Sequence, residues 1–311
     1  MKSVCLAILN FNGVHHLESL LPTVPAAVAG TAGPVNVVVL DNRSTADDVA
    51  WLARQAPDVE VVVAAKNDYL YSYNALLAAR TEDIVVLLNN DLRLAPGFLP
   101  ALLRPFAQPE VFSVGATSRD WDDTAYTCGP ARLRSHHGTY FWDWERDRQE
   151  TSPTLFTSGG FMAVDRGRFL ELGGFNPLYH PGYGEDLDLC FRAWRRGWQC
   201  IFEPTARVYH RENGTFSTRA RQLMERSQWL FQWSSLPPSA GWLERSAMTL
   251  LTAGRRLAAG DPGWLLRRRR VWREWCRVRT RHPSLLTSPS ELAALCARME
   301  PATGRTTFPP S

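Results

Sequence analysis

The chain opens with four short apolar runs rich in Val and Ile: Val4 to Leu9, Val35 to Leu40, Val59 to Ala65 and Ile84 to Leu88. Strands buried on both faces look like this, and the segments between the runs have helical spacing. The pattern therefore predicts a Rossmann-like βα array around a largely parallel sheet over the first 115 residues. In such sheets ligands bind beyond the carboxyl ends of the strands. The residues that fall there are Asn10-Phe11-Asn12, Asp41-Asn42, Lys66-Asn67-Asp68 and Asn89-Asn90-Asp91. Any one of these is ordinary turn chemistry, because Asn and Asp favour loop starts and helix caps. Four in succession point to a binding site.

From Thr117 to Phe156 the pattern breaks, which predicts an irregular stretch carrying Asp120, Asp122, Asp123, His136, His137, Trp142 and Trp144. A loop this long inside a compact domain is usually functional or mobile. Order resumes at Thr157-Ser158-Gly159-Gly160, then at Gly173-Gly174-Phe175 and at Gly184-Glu185-Asp186-Leu187-Asp188-Leu189-Cys190. Leu187, Cys190 and Trp194 share one helical face, and Gly197 ends that helix. Cys200 to Phe202 and Ala206 to Tyr209 read as two further short strands.

Composition adds a division. The 311 residues are 45% hydrophobic with 12 Trp, which excludes intrinsic disorder for most of the chain. The net charge of +4 is the sum of −6 over residues 1–214 and +10 over residues 215–311. An acidic first region suits metal and sugar chemistry; a basic, Trp-bearing second region suggests an anionic surface as partner. The six cysteines show no zinc-like spacing and read as buried thiols in a reducing compartment. The first apolar run is too short for a signal peptide, and no later run reaches the roughly 18 residues of a membrane span. A cytoplasmic protein is expected, with a peripheral position on the inner face of the cell membrane if the basic region attaches there.

Ala7-Ile8-Leu9-Asn10-Phe11-Asn12, Leu40-Asp41-Asn42-Arg43-Ser44, Leu88-Asn89-Asn90-Asp91, Ser158-Gly159-Gly160, Gly173-Gly174-Phe175, Gly184 to Cys190 and Val208-Tyr209-His210 occur in one order over about residues 3–214. Together they resemble family 2 glycosyltransferases of the GT-A fold, in particular the rhamnosyltransferase-like branch. The resemblance implies an inverting transfer of a sugar from a nucleoside diphosphate-sugar to a polysaccharide or lipid-linked glycan in cell-envelope synthesis. Leu9, Asn10, Phe11, Asp41 and Asn42 would hold the donor's base and ribose. Lys66, Asn67 and Asn90 would serve the donor as well, although the segment from Lys66 to Asn74 departs from the family's Gly-rich loop. Asp91 stands where relatives carry the last residue of Asp-x-Asp. With His210 it would hold Mg²⁺ or Mn²⁺, hard oxygen chemistry with imidazole favouring Mn²⁺. Asp186 would be the general base, kept ionised by the helix N-terminus and the metal, with Glu185 in reserve. Ser158, Gly159, Gly160, Glu185 and Trp142 would line the acceptor side. The alternative is a non-catalytic sugar- or membrane-binding module with a degenerate site.

Beyond Gly214 the resemblance thins, and residues 215–300 read as a basic helical extension followed by a disordered tail at 301–311. Arg267 to Arg270 precede Val271, Trp272, Trp275 and Val278, a helical stripe flanked by Arg273, Arg277, Arg279 and Arg281. Such a helix suits an anionic bilayer interface. Packing on the catalytic domain is the plainer reading, and no motif supports nucleic acid.

Overall fold

The computed structural model describes residues 2–45, 47–136, 139–145, 148–211, 218–237, 242–278 and 287–300. His137, Arg279, Arg281 and the tail from residue 301 lie outside them. The first part alternates as its apolar runs predict: β1 (Val4–Asn10), α1 (Val14–Leu20), α2 (Val24–Val28), β2 (Val35–Asp41), α3 (Asp48–Gln55), β3 (Glu60–Val63), α4 (Ser72–Ala79), β4 (Ile84–Asn89), β5 (Leu92–Leu94) and α5 (Phe98–Leu103). Strands β3, β2, β1 and β4 are neighbours in that order, all parallel. Leu6 and Ile8 of β1, Val86 and Leu88 of β4, and Leu17 and Leu20 of α1 are among the buried core. Each such side chain contributes roughly 1.5–3 kcal/mol on burial. Tyr73 of α4 pins the centre, its hydroxyl donating to Ala7 O (3.1 Å) and Leu88 O (2.9 Å).

The stretch expected to be irregular is instead largely β-structure. It contains β6 (Val111–Asp120), β7 (Tyr126–Cys128), β8 (Ala131–His136), β9 (Thr139–Trp144) and the short β10 (Ser152–Pro153), followed by β11 (Phe161–Asp165). Helices α6 (Arg166–Glu171) and α7 (Glu185–Arg195) lead to β12 (Gln199–His210). The two short strands expected at 200–209 are this single strand, with an irregularity between Glu203 and Arg207. The sheet runs β10-β12-β6-β11-β4-β1-β2-β3, with β5 added to β12 and β7 to β6. β11 is antiparallel to both β4 and β6, which makes the sheet mixed, with parallel pairing throughout β3-β2-β1-β4 and between β12 and β6. Leu187, Cys190 and Trp194 of α7 are all buried, and Gly197 follows the helix at φ +90°.

Two compact units emerge: residues 1–131 with 144–213 and 299–311, and residues 132–143 with 214–298. The β8–β9 ribbon thus groups with the C-terminal region, where the sequence boundary at 214 had left it outside. That unit holds α8 (Thr218–Ser235), α9 (Trp242–Ala258), α10 (Trp264–Val278) and α11 (Pro289–Met299). Trp229, Trp233, Trp264, Trp272 and Trp275 form one ring cluster, with Trp272 still 44% exposed. Trp233 of α8 meets Trp272 at 5.0 Å and Trp275 at 6.1 Å, and Trp275 Nε1 donates to Ser234 Oγ at 2.9 Å. Arg268 lies over Trp229, Trp233 and Trp264, and Arg267 pairs with Asp261. Val271 of the α10 stripe is therefore buried and Trp275 half-buried inside the helical unit, while Trp272 keeps an exposed edge. Cys5, Cys190 and Cys200 are buried, whereas Cys128, Cys276 and Cys296 are only half-buried.

Candidate active site

At the carboxyl end of β1, Asn10 is fully buried and its carboxamide ties three elements together. Its Nδ2 donates to Asp48 Oδ2 (2.8 Å) and Asp41 Oδ1 (3.3 Å), and its Oδ1 accepts from Asn90 Nδ2 (2.8 Å). Asp41 is equally engaged: Ser44 donates through its hydroxyl (2.5 Å) and its amide (3.0 Å). Asn12, at φ +50°, accepts from the amide of Thr45 (2.7 Å) and stitches the loop after β1 to the loop after β2. Asp48 carries no strand-end signal and is missed by sequence reasoning. It takes the Gly13 amide at 2.8 Å, and its remaining oxygen is buried without a hydrogen bond. Gly13 is fixed by the same arrangement, since a Cβ there would lie 2.0 Å from Asn90 Nδ2. Phe11 stands exposed beside this network, and Leu9 is half-buried at the strand end.

The segment after β3 is organised by Asn42, which donates to Asn67 Oδ1 (3.0 Å) and Tyr69 O (3.1 Å) and accepts from the Ser72 hydroxyl. Lys66 is exposed and pairs with Asp68 at 3.0 Å; His180 reaches the same carboxylate at 3.2 Å. Asn74 clasps Phe175 through both backbone groups, accepting from its amide at 2.8 Å and donating to its carbonyl at 3.0 Å. A Cβ on Gly174 would lie 2.5 Å from that carboxamide, which is why glycine is needed at that position.

Asp91 follows β4, and its partner comes from the far end of the chain. Antiparallel pairing of β5 with β12 sets His210 opposite Leu92, and the Arg211 amide donates to Asp91 O at 3.0 Å. His210 Nε2 consequently lies 3.3 Å from Asp91 Oδ1, a buried atom that accepts no hydrogen bond. Among the described residues no three His, Cys, Asp or Glu side chains converge, so a cation here would need further oxygens from a ligand. A buried carboxylate oxygen without a donor, next to an imidazole, fits a divalent cation shared with phosphate. His16 of α1, also unmarked in the sequence, interacts electrostatically with Asp91, Arg211 and His210; burial and its neighbour His15 hold its imidazole below the ordinary range.

The Gly184-Glu185-Asp186 segment begins α7, with Gly184 at φ +88°. Asp186 is half-buried; its Oδ2 accepts from the Gly159 amide (3.1 Å) and its Oδ1 from the Leu187 amide (2.8 Å). Gly160 is needed on the other side of the Gly159 turn, where a Cβ would sit 2.7 Å from Asn89 Nδ2, whereas one on Gly159 would meet Asp186 Cβ at an ordinary 3.6 Å. Ser158 closes that turn, its carbonyl accepting from the Phe161 amide at 3.1 Å. The amides at the helix start favour the charged form of Asp186, but burial outweighs them. Burial raises its carboxyl above the ordinary aspartate range, opposed by the amides of Gly159 and Leu187. Glu185 is buried with Oε2 unpartnered; burial, and then the charge of Asp186, push it up to about 8. Asp188, in contrast, is bound to Arg192 at 2.7 Å, which caps the carbonyls of Leu172 and Gly174. Trp144 packs against Phe156 at 5.2 Å rather than standing free for a sugar, and Trp142 belongs to the second unit.

Three comparisons bear on this arrangement. A family model described as "Glycosyltransferase like family 2" matches residues 5–228. The N-acetylglucosaminyl-diphospho-decaprenol L-rhamnosyltransferase of Mycobacterium tuberculosis is 29% identical over 223 residues, covering 63% of this chain and 71% of the relative. Among solved structures, GalNAc-T7 with UDP, GalNAc and Mn²⁺ superposes with a TM-score of 0.58 at 17% identity, covering 75% of this chain and 48% of that one. This chain thus spans about half of that protein. A mannosyltransferase from Pyrobaculum calidifontis in complex with GDP-Man and Mn²⁺ gives a TM-score of 0.55 at 17% identity, with 94% and 78% covered. At such identities these two carry the fold alone, and the fold is the GT-A arrangement expected from the sequence.

Proposed function

Because the chain belongs to glycosyltransferase family 2 and is a transferase enzyme, we propose that it moves a sugar from a nucleoside diphosphate donor to a lipid-linked or polysaccharide acceptor in cell-envelope glycan synthesis, inverting the anomeric centre. The observation that carries this reading is the meeting of Asp91 and His210 across β5 and β12, with an unsatisfied carboxylate oxygen. Those two side chains would hold Mn²⁺ or Mg²⁺. When bound, the cation offsets the negative charge that builds on the departing diphosphate. The loops after β1 and β2, locked by Asn10, Asp41 and Asp48, present the exposed Phe11 and the backbone beside it to the nucleotide.

In the transfer step the acceptor hydroxyl oxygen bonds to the anomeric carbon while the bond from that carbon to the diphosphate oxygen breaks. The hydroxyl proton passes to Asp186, and nucleoside diphosphate leaves. A carboxyl raised above the usual range is a better proton acceptor, and the two amides that hold it fix its direction. Glu185 stays protonated near neutral pH and so adds no second negative charge beside the base. The reading is tested by assaying release of nucleoside diphosphate from a panel of nucleotide-sugars on addition of lipid-linked and polysaccharide acceptors. Release that depends on acceptor is expected; none across the panel would favour a sugar-binding module instead.

With a lipid-linked acceptor, the same reading has the basic extension meeting an anionic bilayer from the cytoplasmic side. No helix among the described residues is long and apolar enough to cross a membrane. The features that support attachment are the exposed Leu250, Leu251 and Leu257 of α9 and Leu265, Leu266 and Trp272 of α10. Arg255, Arg269 and Arg270 are exposed among them. Flotation with vesicles containing phosphatidylglycerol, but not with phosphatidylcholine alone, is the expected result.

A further inference from the structure

Beside Asp91 the β5–β12–β6–β7 edge carries an alternating row that no step above uses. Arg93 pairs in register with Tyr209, Tyr209 with Arg119, and Arg119 with Tyr126, one residue from each of four adjacent strands. The guanidinium of Arg93 lies over Tyr209 (4.8 Å), and that of Arg119 over Tyr126 (4.7 Å). Trp121, in the turn after β6, takes two cations at once: Arg93 at 4.7 Å and Arg211 at 4.2 Å from its ring centre. The turn is firm, because the Asp120 carboxylate accepts from the amides of Thr124 (2.6 Å) and Ala125 (3.0 Å), and Arg93 donates to Trp121 O at 2.7 Å.

The charges do not balance. Arg119 has a carboxylate partner in Asp123, but among the described residues neither Arg93 nor Arg211 forms an ion pair, and Arg93 Nε is buried with no acceptor. Two guanidinium groups held on one indole repel each other unless an anion lies between them. Carboxylate and phosphate oxygens both match guanidinium donors, and of the two a phosphate is what a carrier-linked acceptor brings. The donor's diphosphate is the obvious rival, but strand alternation argues against it. Along β12 the side chains of Tyr209 and His210 leave on opposite faces, and Arg93 is paired with Tyr209 while Leu92 is paired with His210. The row of Arg93, Tyr209, Arg119 and Tyr126 therefore occupies the face opposite the imidazole that would serve the donor, and Arg211, beyond the end of β12, joins it through Trp121 while bordering Asp91. In the alternation of β6, Arg119 shares a face with Ser113, whose hydroxyl lies 3.8 Å from Cys190 of α7, the helix that begins with Asp186's turn.

We infer that Arg93 and Arg211, bridged by Trp121, form a subsite for the phosphate or diphosphate group that joins the accepting sugar to its carrier, with Tyr209 as an adjoining aromatic surface. This rests on the transfer reading for its biological meaning, but the binding itself can be tested apart from turnover. The probe is a labelled prenyl diphosphate-linked N-acetylglucosamine in detergent, titrated against the full chain, with an alkyl N-acetylglucosaminide as the uncharged counterpart. The expected result is that Arg93→Gln/Arg211→Gln weakens the diphosphate probe at least about tenfold, leaves the uncharged glycoside and free UDP or GDP unchanged, and that the double Lys variant recovers part of the loss. Single Arg211→Gln serves if the double variant melts early. Unchanged affinity for the diphosphate probe, or no binding of it by the wild type, overturns the subsite. Equal weakening of nucleoside diphosphate overturns it in favour of a donor contact. Tight, arginine-dependent probe binding without any nucleoside diphosphate release would leave the subsite standing and defeat the transfer reading instead.

Discussion

The two halves of the strand-end cluster treat their polar groups differently. On the side of β1 and β2, Asn10, Asp41, Asn12 and Asn42 are occupied by one another and by loop amides; Asp48 keeps one free oxygen. On the side of β5, β12 and α7, buried atoms are left over: Asp91 Oδ1, Glu185 Oε2 and Arg93 Nε. An unpaired buried polar atom costs about 1–3 kcal/mol, so a fold retains such atoms where something else rewards them. The first half behaves as a frame that shapes loops, and the second as the part that meets metal, phosphate and the reacting hydroxyl. Mutations should separate the two, with rate lost on one side and stability or donor binding on the other.

The largest effect expected is on Asp186→Asn. The isosteric amide keeps the shape beside Gly159 but cannot take the proton, so turnover should fall by about 10²–10⁴-fold, while thermal stabilisation by nucleotide-sugar persists. Near-wild-type turnover would remove Asp186 from the role of base. Asp91→Asn should come next: stabilisation by nucleoside diphosphate should lose its dependence on added Mn²⁺, with the melting temperature of the protein alone little changed. Persistence of the Mn²⁺ effect would detach the metal from this carboxylate.

Glu185 tests the leftover atoms through pH. Its carboxyl is raised to about 8 by burial and by Asp186, so the folded chain keeps a proton that the unfolded chain releases above the ordinary value of 4.5. The sign follows: stability from this group is complete below about 4.5 and is lost as pH rises through about 8. Wild-type melting temperature should therefore drop between pH 5 and about 8.5 more steeply than that of Glu185→Gln, the gap corresponding to a few kcal/mol at the alkaline end. Parallel curves would show that Glu185 is not held protonated.

The frame was easier to foresee than the working half. Continuous Val and Ile runs announce β1, β2 and β4, and the Asn and Asp residues that end them are conspicuous in the sequence. β6 is hidden because its buried Ser113, Thr117 and Ser118 are satisfied by Thr157, the carbonyl of Pro204 and Thr127, pairings that hydropathy does not report. The single strand β12 is disguised by Pro204 and its irregularity. Asp186 and His210 could be singled out through a resemblance, but the geometry of His210 depends on the pairing of β12 with β5, about a hundred positions away, and that of Asp186 on the Gly159 amide in a separate turn. The Trp stripe on α10 misleads for the same reason: amphipathic spacing marks a face that is covered without naming its cover, and here α8 supplies it.

Gly13 offers the smallest and most discriminating change. No strand-end rule marks it, yet a Cβ would intrude at 2.0 Å on Asn90 Nδ2 and 2.7 Å on Asn10 Oδ1, the two atoms whose hydrogen bond links β1 to the turn before Asp91. Gly13→Ala must displace Asn90 or shift the loop, at a cost of roughly 1–3 kcal/mol for forced repacking. If the first half is a frame, the damage should appear as a lower melting temperature and weaker nucleotide-sugar binding, with turnover at saturating donor reduced much less than in Asp186→Asn. A full loss of turnover at saturating donor, with binding intact, would mean that Asn90 belongs to the reacting half and that the boundary between the two lies at Asn10 instead.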